Sequence, residues 1–251
     1  PQTRKLFHVC RMRNTPVVAF INKLGRPARD AFTLMSEVEE VLGVSTVPFT
    51  WPIGSGDLFQ GVYDRMNKAV LRFERSSEGQ AKRADMEVTG IDDPELETLL
   101  GEEPAQTLRE EVELLDGAGE EWDRSRFLAG EITPVFFGSA LTNFGVEPFL
   151  RAFKDLCPPP GERAASGDVT VNPSDDRFSA FIFKVQANMD PSHRDRIAFA
   201  RICSGRFEGG MRVHHYRLGK SVRLNRAEQF FAQDRENVLE AYAGDIIGLY
   251  D

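Results

Sequence analysis

Residues 17–26 read VVAFINKLGR, and the fold turns on how this apolar run hands over to Asn22-Lys23. Residues 16–21 show neither charge nor alternation, the pattern of a strand covered on both faces. Before it, Leu6, Val9, Cys10 and Met12 have helical spacing. After it, Asp30 is placed to cap a helix with the stripe Ala31, Leu34, Met35, Val38, Val41 and Leu42. Gly43 stands where a helix end takes the left-handed conformation. A second strand is expected over about 44–50. Helix, strand, helix, strand predicts an α/β fold, a parallel sheet with helices packed on both faces.

That rhythm breaks at Trp51 and returns at TPVFFGSALTNFG. There 133–137 reads as a buried strand and Gly138-Ser139-Ala140 as a tight turn. A helix with Val146, Phe149, Leu150, Phe153 and Leu156 on one face follows. Residues 52–131 are therefore expected to be an insertion of helical and irregular structure. WPIGSGDLFQGVYD is turn-rich, KAVLRFE reads as a short strand, and RSSEGQAKRAD as a polar loop. Asp93-Pro94 opens an acidic helix carrying Leu96, Leu99, Leu100, Leu108, Val112 and Leu115.

The run CPPPGERAASGD cannot continue a helix, so the first domain is placed at 1–160 and a stiff linker at 161–175. Beyond it the period changes to two. FSAFIFKVQ, RIAFARICSG, MRVHHYRLG and KSVRLNRA predict a small antiparallel barrel over 176–251, expected to be incomplete at Asp251. The chain opens at Pro1 within a helical pattern, and the expectation is a piece of something longer.

The net charge of −8 conceals a division. Met86 to Glu121 holds thirteen acidic residues against Arg109 alone, whereas Arg177 to Arg226 holds eleven Lys/Arg against Asp190, Asp195 and Glu208. The acidic run is what a solvated helix face looks like, and the basic run could face a polyanion. Three widely spaced cysteines (Cys10, Cys157, Cys203) suggest buried thiols in a reducing cytoplasm, with neither a disulfide framework nor zinc spacing. His214 and His215 point to opposite faces of a strand, and no metal site is expected. No run reaches the ~18 apolar residues of a membrane span, so no membrane contact is expected. Trp51 and Trp122 read as packing anchors, and His193 has no nucleophile near it for catalysis.

In parallel sheets ligands bind beyond the carboxyl ends of the strands. If strands 16–21 and 133–137 are neighbours, Asn22-Lys23 and Gly138-Ser139-Ala140 meet at one crevice. An asparagine amide can fix a base and tether neighbouring loops. A lysine can lay its methylene stem over a purine while its ammonium stays wet. A Ser-Ala turn can offer backbone N–H to a base carbonyl without side-chain obstruction.

The same residues carry a resemblance that spans nearly the whole chain. QTRKLFHVCRMRNTPVVAFINKL, TWPIGSGDLFQGVYD, FLAGEITPVFFGSALTNFGV, IFKVQANMDPSHRDRIAFARICSG and AYAGDIIGLY resemble the release factor 3 family, translational GTPases related to elongation factor G. The resemblance implies part of a P-loop-type G domain followed by the second domain of translation factors, which lies against the small ribosomal subunit. It implies a cytoplasmic, monomeric factor that binds GTP and GDP and helps dislodge class I release factors, the readers of stop codons, through GTP hydrolysis. Asn22, Lys23, Leu24 and Gly25 match the fourth nucleotide motif, and Ser139 and Ala140 the fifth. No G-x-x-x-x-G-K-[ST] occurs in the chain, so phosphate loop, switches and Mg2+ are expected only in the intact protein. No catalytic residue is expected in this segment, which alone should be inactive as a GTPase. In the barrel, Arg194, Arg196, Arg201, Arg206 and Arg212 are expected to contact ribosomal RNA backbone.

Gly25 departs from the family, whose fourth motif ends in aspartate. That carboxylate would accept two hydrogen bonds from guanine, and losing them could cost about 3 kcal/mol. The departure is explained by an engineered or degenerate site, by a natural variant compensated elsewhere, or by an error in the sequence. Asp30 is no substitute, because its place as a helix cap points it elsewhere. Two other functions stay open: a pseudo-GTPase or RNA- and ribosome-binding scaffold without turnover, and another ribosomal GTPase of the elongation factor G type.

Overall fold

A computed structural model describes residues 2–75, 81–187, 196–224, 227–231 and 234–250. The chain divides into two compact units, Pro1–Cys157 and Pro158–Asp251. In the first, α1 (Gln2–Met12), β1 (Ala19–Ile21), α2 (Ala31–Leu42) and β2 (Ser45–Pro48) lead to an antiparallel sheet of β3 (Thr50–Ile53), β4 (Gly61–Asp64), β5 (Ala69–Arg75) and β6 (Ala81–Thr89). Then come α3 (Leu96–Leu100), α4 (Glu102–Ala118), α5 (Arg124–Leu128), β7 (Ile132–Phe137) and α6 (Val146–Leu156).

β7 lies between β1 and β2 in a parallel sheet ordered β1-β7-β2. Its side chains alternate between two cores. Val135 and Phe137 join α2 and the inserted residues on one face; Ile132 and Phe136 join Phe127 of α5 and Leu156 of α6 on the other. Proline at 134 is tolerated in this central strand because its missing N–H falls on the β1 side. Pairing with β1 begins only at Val135. Pro48 and Pro52 lie in β2 and β3, each at a sheet edge.

Asp30 caps α2, accepting from Thr33 N at 2.8 Å, and Gly43 closes it at φ 66°. Several expectations change. The first strand is only Ala19–Ile21 and is half-buried, because β1 is an edge of the sheet among the described residues. The spaced apolar residues of α1 do not make its inner face: Leu6 is 65% and Met12 73% exposed, and Phe7 is the buried residue. Residues 51–53 are a strand rather than a turn. The expected polar loop is strand from Ala81 on, while 76–80 lies outside the described residues. The acidic helix is two, broken at Gly101. Cys157 is exposed rather than buried.

The insertion is welded on by apolar burial. Leu96, Leu99, Leu100, Leu108, Val112 and Leu115 share one core with Trp51, Val135 and Phe137. Trp51 is 0% exposed, packs on Phe32 and Phe137, and donates from Nε1 to Glu111 of α4 at 2.7 Å. Truncating a side chain so placed typically costs about 3–5 kcal/mol. Trp122 also serves packing, against Phe49 and Phe127.

The second unit contains strands only, apart from one 3-10 turn, among its described residues. The expected linker carries a hairpin of β8 (Arg163–Ala165) and β9 (Val169–Val171). β10 (Ser179–Ala187), β11 (Arg196–Ser204), β12 (Arg206–Glu208), β13 (Arg212–His215), β14 (Lys220–Arg223), β15 (Ala227–Phe231), β16 (Asp234–Asn237), β17 (Glu240–Tyr242) and β18 (Ile246–Tyr250) follow. They pair antiparallel in sheets β10-β11-β18-β15-β16, β12-β17 and β13-β14 around Ala200, Ile202, Phe207 and Ile247.

Burial raises the Glu111 carboxyl above its ordinary 4.5, against the opposing pull of the Trp51 N–H. The folded chain therefore holds that proton more tightly than the unfolded one. The group's contribution is full below pH 4.5 and is lost as pH rises through the folded value. Glu111→Gln keeps an oxygen for Trp51 and removes the charge. The melting temperature of the variant should exceed the parent's by about 1–3 °C at pH 8, a gap that closes by pH 4 in calorimetry.

Candidate functional site

β1 and β7 run parallel in the register Ala19↔Val135, Phe20↔Phe136, Ile21↔Phe137, so both end at one level. Two polar turns leave that level side by side, and hydrogen bonds lock each to the other. Gly138 N–H donates to Ile21 O at 3.0 Å, and Leu24 N–H donates to Gly138 O at 3.1 Å. Asn22 Oδ1 accepts from Lys23 N–H at 2.8 Å and, across 118 residues of sequence, from Ala140 N–H at 2.9 Å. The carboxamide is thus the side-chain bridge between the turns, as expected of a tether. Lys23 takes the left-handed conformation, φ 75°, and its side chain is exposed.

The second turn is set by close packing. A Cβ at Gly138 would overlap Phe144 O and come within 2.8 Å of Phe20 Cζ, so only glycine lets strand, turn and returning chain meet. Ser139 and Phe144 then exchange backbone bonds, Ser139 N–H to Phe144 O at 2.8 Å and Phe144 N–H to Ser139 O at 3.0 Å. Ser139 is 4% exposed, while Ala140 faces solvent.

This geometry corrects one expectation. The Ser-Ala turn does not hold its N–H groups free for a base carbonyl: Ser139 N–H is spent on Phe144 and Ala140 N–H on Asn22. A base carbonyl would have to compete with Asn22 Oδ1 for the Ala140 donor. Sequence spacing contains no sign of the Asn22–Ala140 bond, because it depends on the register of two strands more than a hundred residues apart.

Leu24 is the hidden member of the motif. Its side chain is 3% exposed and lies in the core shared with Trp51, Ile53 and Phe137, and its carbonyl accepts from Gly56 N–H at 2.9 Å. Gly25 is not there for backbone reasons. It lies outside the left-handed region, and a Cβ on it would make only an ordinary 3.6 Å contact with Ser139 Oγ. Asp30 cannot stand in for the missing carboxylate. Its two oxygens are taken by Thr33 N–H and the Thr33 hydroxyl, at 2.8 and 2.6 Å, and these bonds hold its carboxyl below the usual range.

Among the described residues, no three of His, Cys, Asp and Glu gather as a metal would require. In the second unit the expected arginines do not form one strip. Arg194 lies outside the described residues. Arg196 and Arg201 lie on opposite faces of β11. Arg206 is held by Glu208 and Glu240 at 3.1 and 2.7 Å, and Arg212 stands opposite Arg223 between β13 and β14.

Two family models match the chain. Residues 1–159 match the elongation factor Tu GTP binding domain, and residues 177–251 match elongation factor G domain 2. Over its whole length the chain is 58% identical to peptide chain release factor 3 of Symbiobacterium thermophilum, covering 47% of that protein. It is 52% identical to the proteins of the same name from Gloeobacter violaceus and Synechocystis sp., of which it covers 46% and 45%. The chain thus spans about half the length of the curated relatives it matches.

The Asn22 bridge can be broken without touching the core. Asn22→Ala should lower stability by about 1–2 kcal/mol, the size of two net hydrogen bonds. It should also hasten hydrogen exchange at the Lys23 and Ala140 amides. Asn22→Asp, which keeps an accepting oxygen, should leave both amides protected.

Proposed function

Because the chain belongs to the elongation factor Tu GTP binding domain family, we propose that residues 22–25 and 138–140 are the base end of a guanine-nucleotide site in a ribosomal GTPase of the release factor 3 type. The observation that carries this reading is the meeting of two turns at the carboxyl ends of β1 and β7, tied by Asn22. Identity of 52–58% to release factor 3 proteins along the whole chain supports the choice of factor.

Each residue has a chemical task at the base end. With Oδ1 engaged by two backbone donors, Asn22 presents Nδ2 as a donor for a purine ring nitrogen. The exposed Lys23 stem covers the purine face and leaves its ammonium in water. Leu24 anchors the turn from below, and Ser139 and Ala140 wall the far side. The phosphates and Mg2+ would be held by residues outside these 251, since no phosphate-loop motif occurs among them. Bound there, GTP would supply the phosphoryl group that intact protein transfers to water; this segment alone would not hydrolyse it.

In the full-length protein the nucleotide cycle would drive departure of stop-codon-reading release factors from the ribosome in the cytoplasm, the protein acting as a monomer. The second unit would face the small subunit, its basic excess meeting ribosomal RNA backbone. Arg196 and Arg212 are the exposed candidates, and Arg206 is the weaker one because two glutamates already hold it.

A second reading, a scaffold that docks without turnover, is favoured by Gly25 and by the engaged Ala140 N–H. Titration of the full-length protein with fluorescent GDP separates the two. Submicromolar binding displaced by GTP but not ATP supports the GTPase, and no binding supports the scaffold.

A Cβ at Gly25 meets only Ser139 Oγ at 3.6 Å, and Gly25→Asp adds the acceptor pair. In the same titration it should tighten GDP by about 10–100-fold, with ADP changed little, as charge-assisted bonds of 1.5–3 kcal/mol would give. Affinity for ribosomal particles, followed by sedimentation, should fall by roughly tenfold or more between 50 and 200 mM salt if the basic unit neutralises several phosphates.

A further inference from the structure

The turn joining β3 to β4 lies under both halves of the base site. It begins at Ile53 and is tightened by Gln60 N–H to Ile53 O at 2.9 Å and Leu58 N–H to Ser55 O at 3.1 Å. At its apex Gly56 has φ 59°, and its N–H reaches Leu24 O at 2.9 Å. A Cβ on Gly56 would lie 3.2 Å from Pro27 N, so the turn presses on the chain just past Lys23-Leu24-Gly25 with no room to spare. Three residues on, Phe59 is buried, and its ring packs on Phe144 at 5.6 Å between centroids. Phe144 is the residue that exchanges two backbone bonds with Ser139. The turn therefore touches one base-site segment through Gly56 and the other through Phe59. Gln60 extends the link to the inserted helices, donating from Nε2 to Leu100 O at 3.2 Å.

We propose that the 53–59 turn is a positioning element of the purine site, in which Gly56 fixes the Lys23 turn through Leu24 and Phe59 fixes the Ser139 turn through Phe144. The inference rests on the reading of those turns as a base site and goes beyond it. The inserted sheet and acidic helices become the mount of the base end, so a load on the insertion is felt as a change in nucleotide residence. Neither Gly56 nor Phe59 touches the base. They act at one remove, through the buried Leu24 and Phe144 that anchor the two turns.

The test uses the full-length protein, stopped-flow release of fluorescent GDP and GTP, steady-state hydrolysis, and melting of the nucleotide-free protein. Gly56→Ala puts a side chain into a left-handed, crowded position and weakens the bond to Leu24. It should speed release of GDP and GTP by the same factor, about tenfold, as loss of a well-placed hydrogen bond would. Turnover at saturating GTP should stay within about twofold, because the phosphate end is untouched. Phe59→Leu keeps an apolar filler, loses the ring contact with Phe144, and should speed release by about threefold on the scale of an aromatic pair. It carries the test if Gly56→Ala does not fold. Unchanged release in the variants that fold, or loss of turnover in step with affinity, would overturn the proposal. If the unsubstituted protein binds no guanine nucleotide, the base-site reading itself fails, an outcome visible before any substitution is made.

Discussion

One side-chain oxygen ties together the two halves of the candidate site. Asn22 Oδ1 accepts from a donor on its own turn and from another 118 residues away, so one acceptor joins the two loops beyond the backbone bonds at Gly138. An isolated strand end frays, because its polar groups have equally good partners in water. Here β1 and β7 stop at one level, the amide spans the gap, and both turns become a wall rather than two tails. The tight packing at Gly138 and the buried side chain of Leu24 serve the same end from below.

How far these features could be read in advance depended on their range. The helix cap at Asp30, the left-handed Gly43 and the polar turn after Ile21 are local, and they followed from side-chain chemistry within a few residues. The apolar spacing of the acidic segment likewise marked its buried leucines correctly. The antiparallel sheet β3-β4-β5-β6 did not announce itself. Prolines and glycines at 52, 54, 56 and 61 look like turn formers, and their tolerance in or beside an edge strand depends on what lies opposite. The spacing in α1 marked a helix without marking its buried face. Its hydrophobic spacing fits more than one packing direction, and the chain used Phe7. The engagement of the Ala140 N–H lay beyond reach altogether, since register over more than a hundred residues decides it.

The inserted segment is often the part of a protein that can be removed without consequence to the sheet that bears it. That is not the case here. Its leucines form a continuous core with Val135, Phe137 and Leu24, and Phe59 and Gly56 reach back to the turns themselves. The acidic surface of α4 is solvated, whereas its inner face is as much a part of the sheet domain as α2. Division of labour in this unit follows faces of elements, and the boundaries of sequence segments have little to do with it.

The indole of Trp51 has a use outside stability. It is sealed from water, stands edge-on to Phe137, and gives its N–H to a carboxylate on the opposite side of the seam. An indole in such surroundings emits at shorter wavelength than one in water, and its excited state is sensitive to any nearby charge that moves. The chain holds only one other tryptophan, Trp122, on the far face of the sheet. An intrinsic fluorophore thus sits at the joint between insertion and sheet, and light can report on that joint without a label.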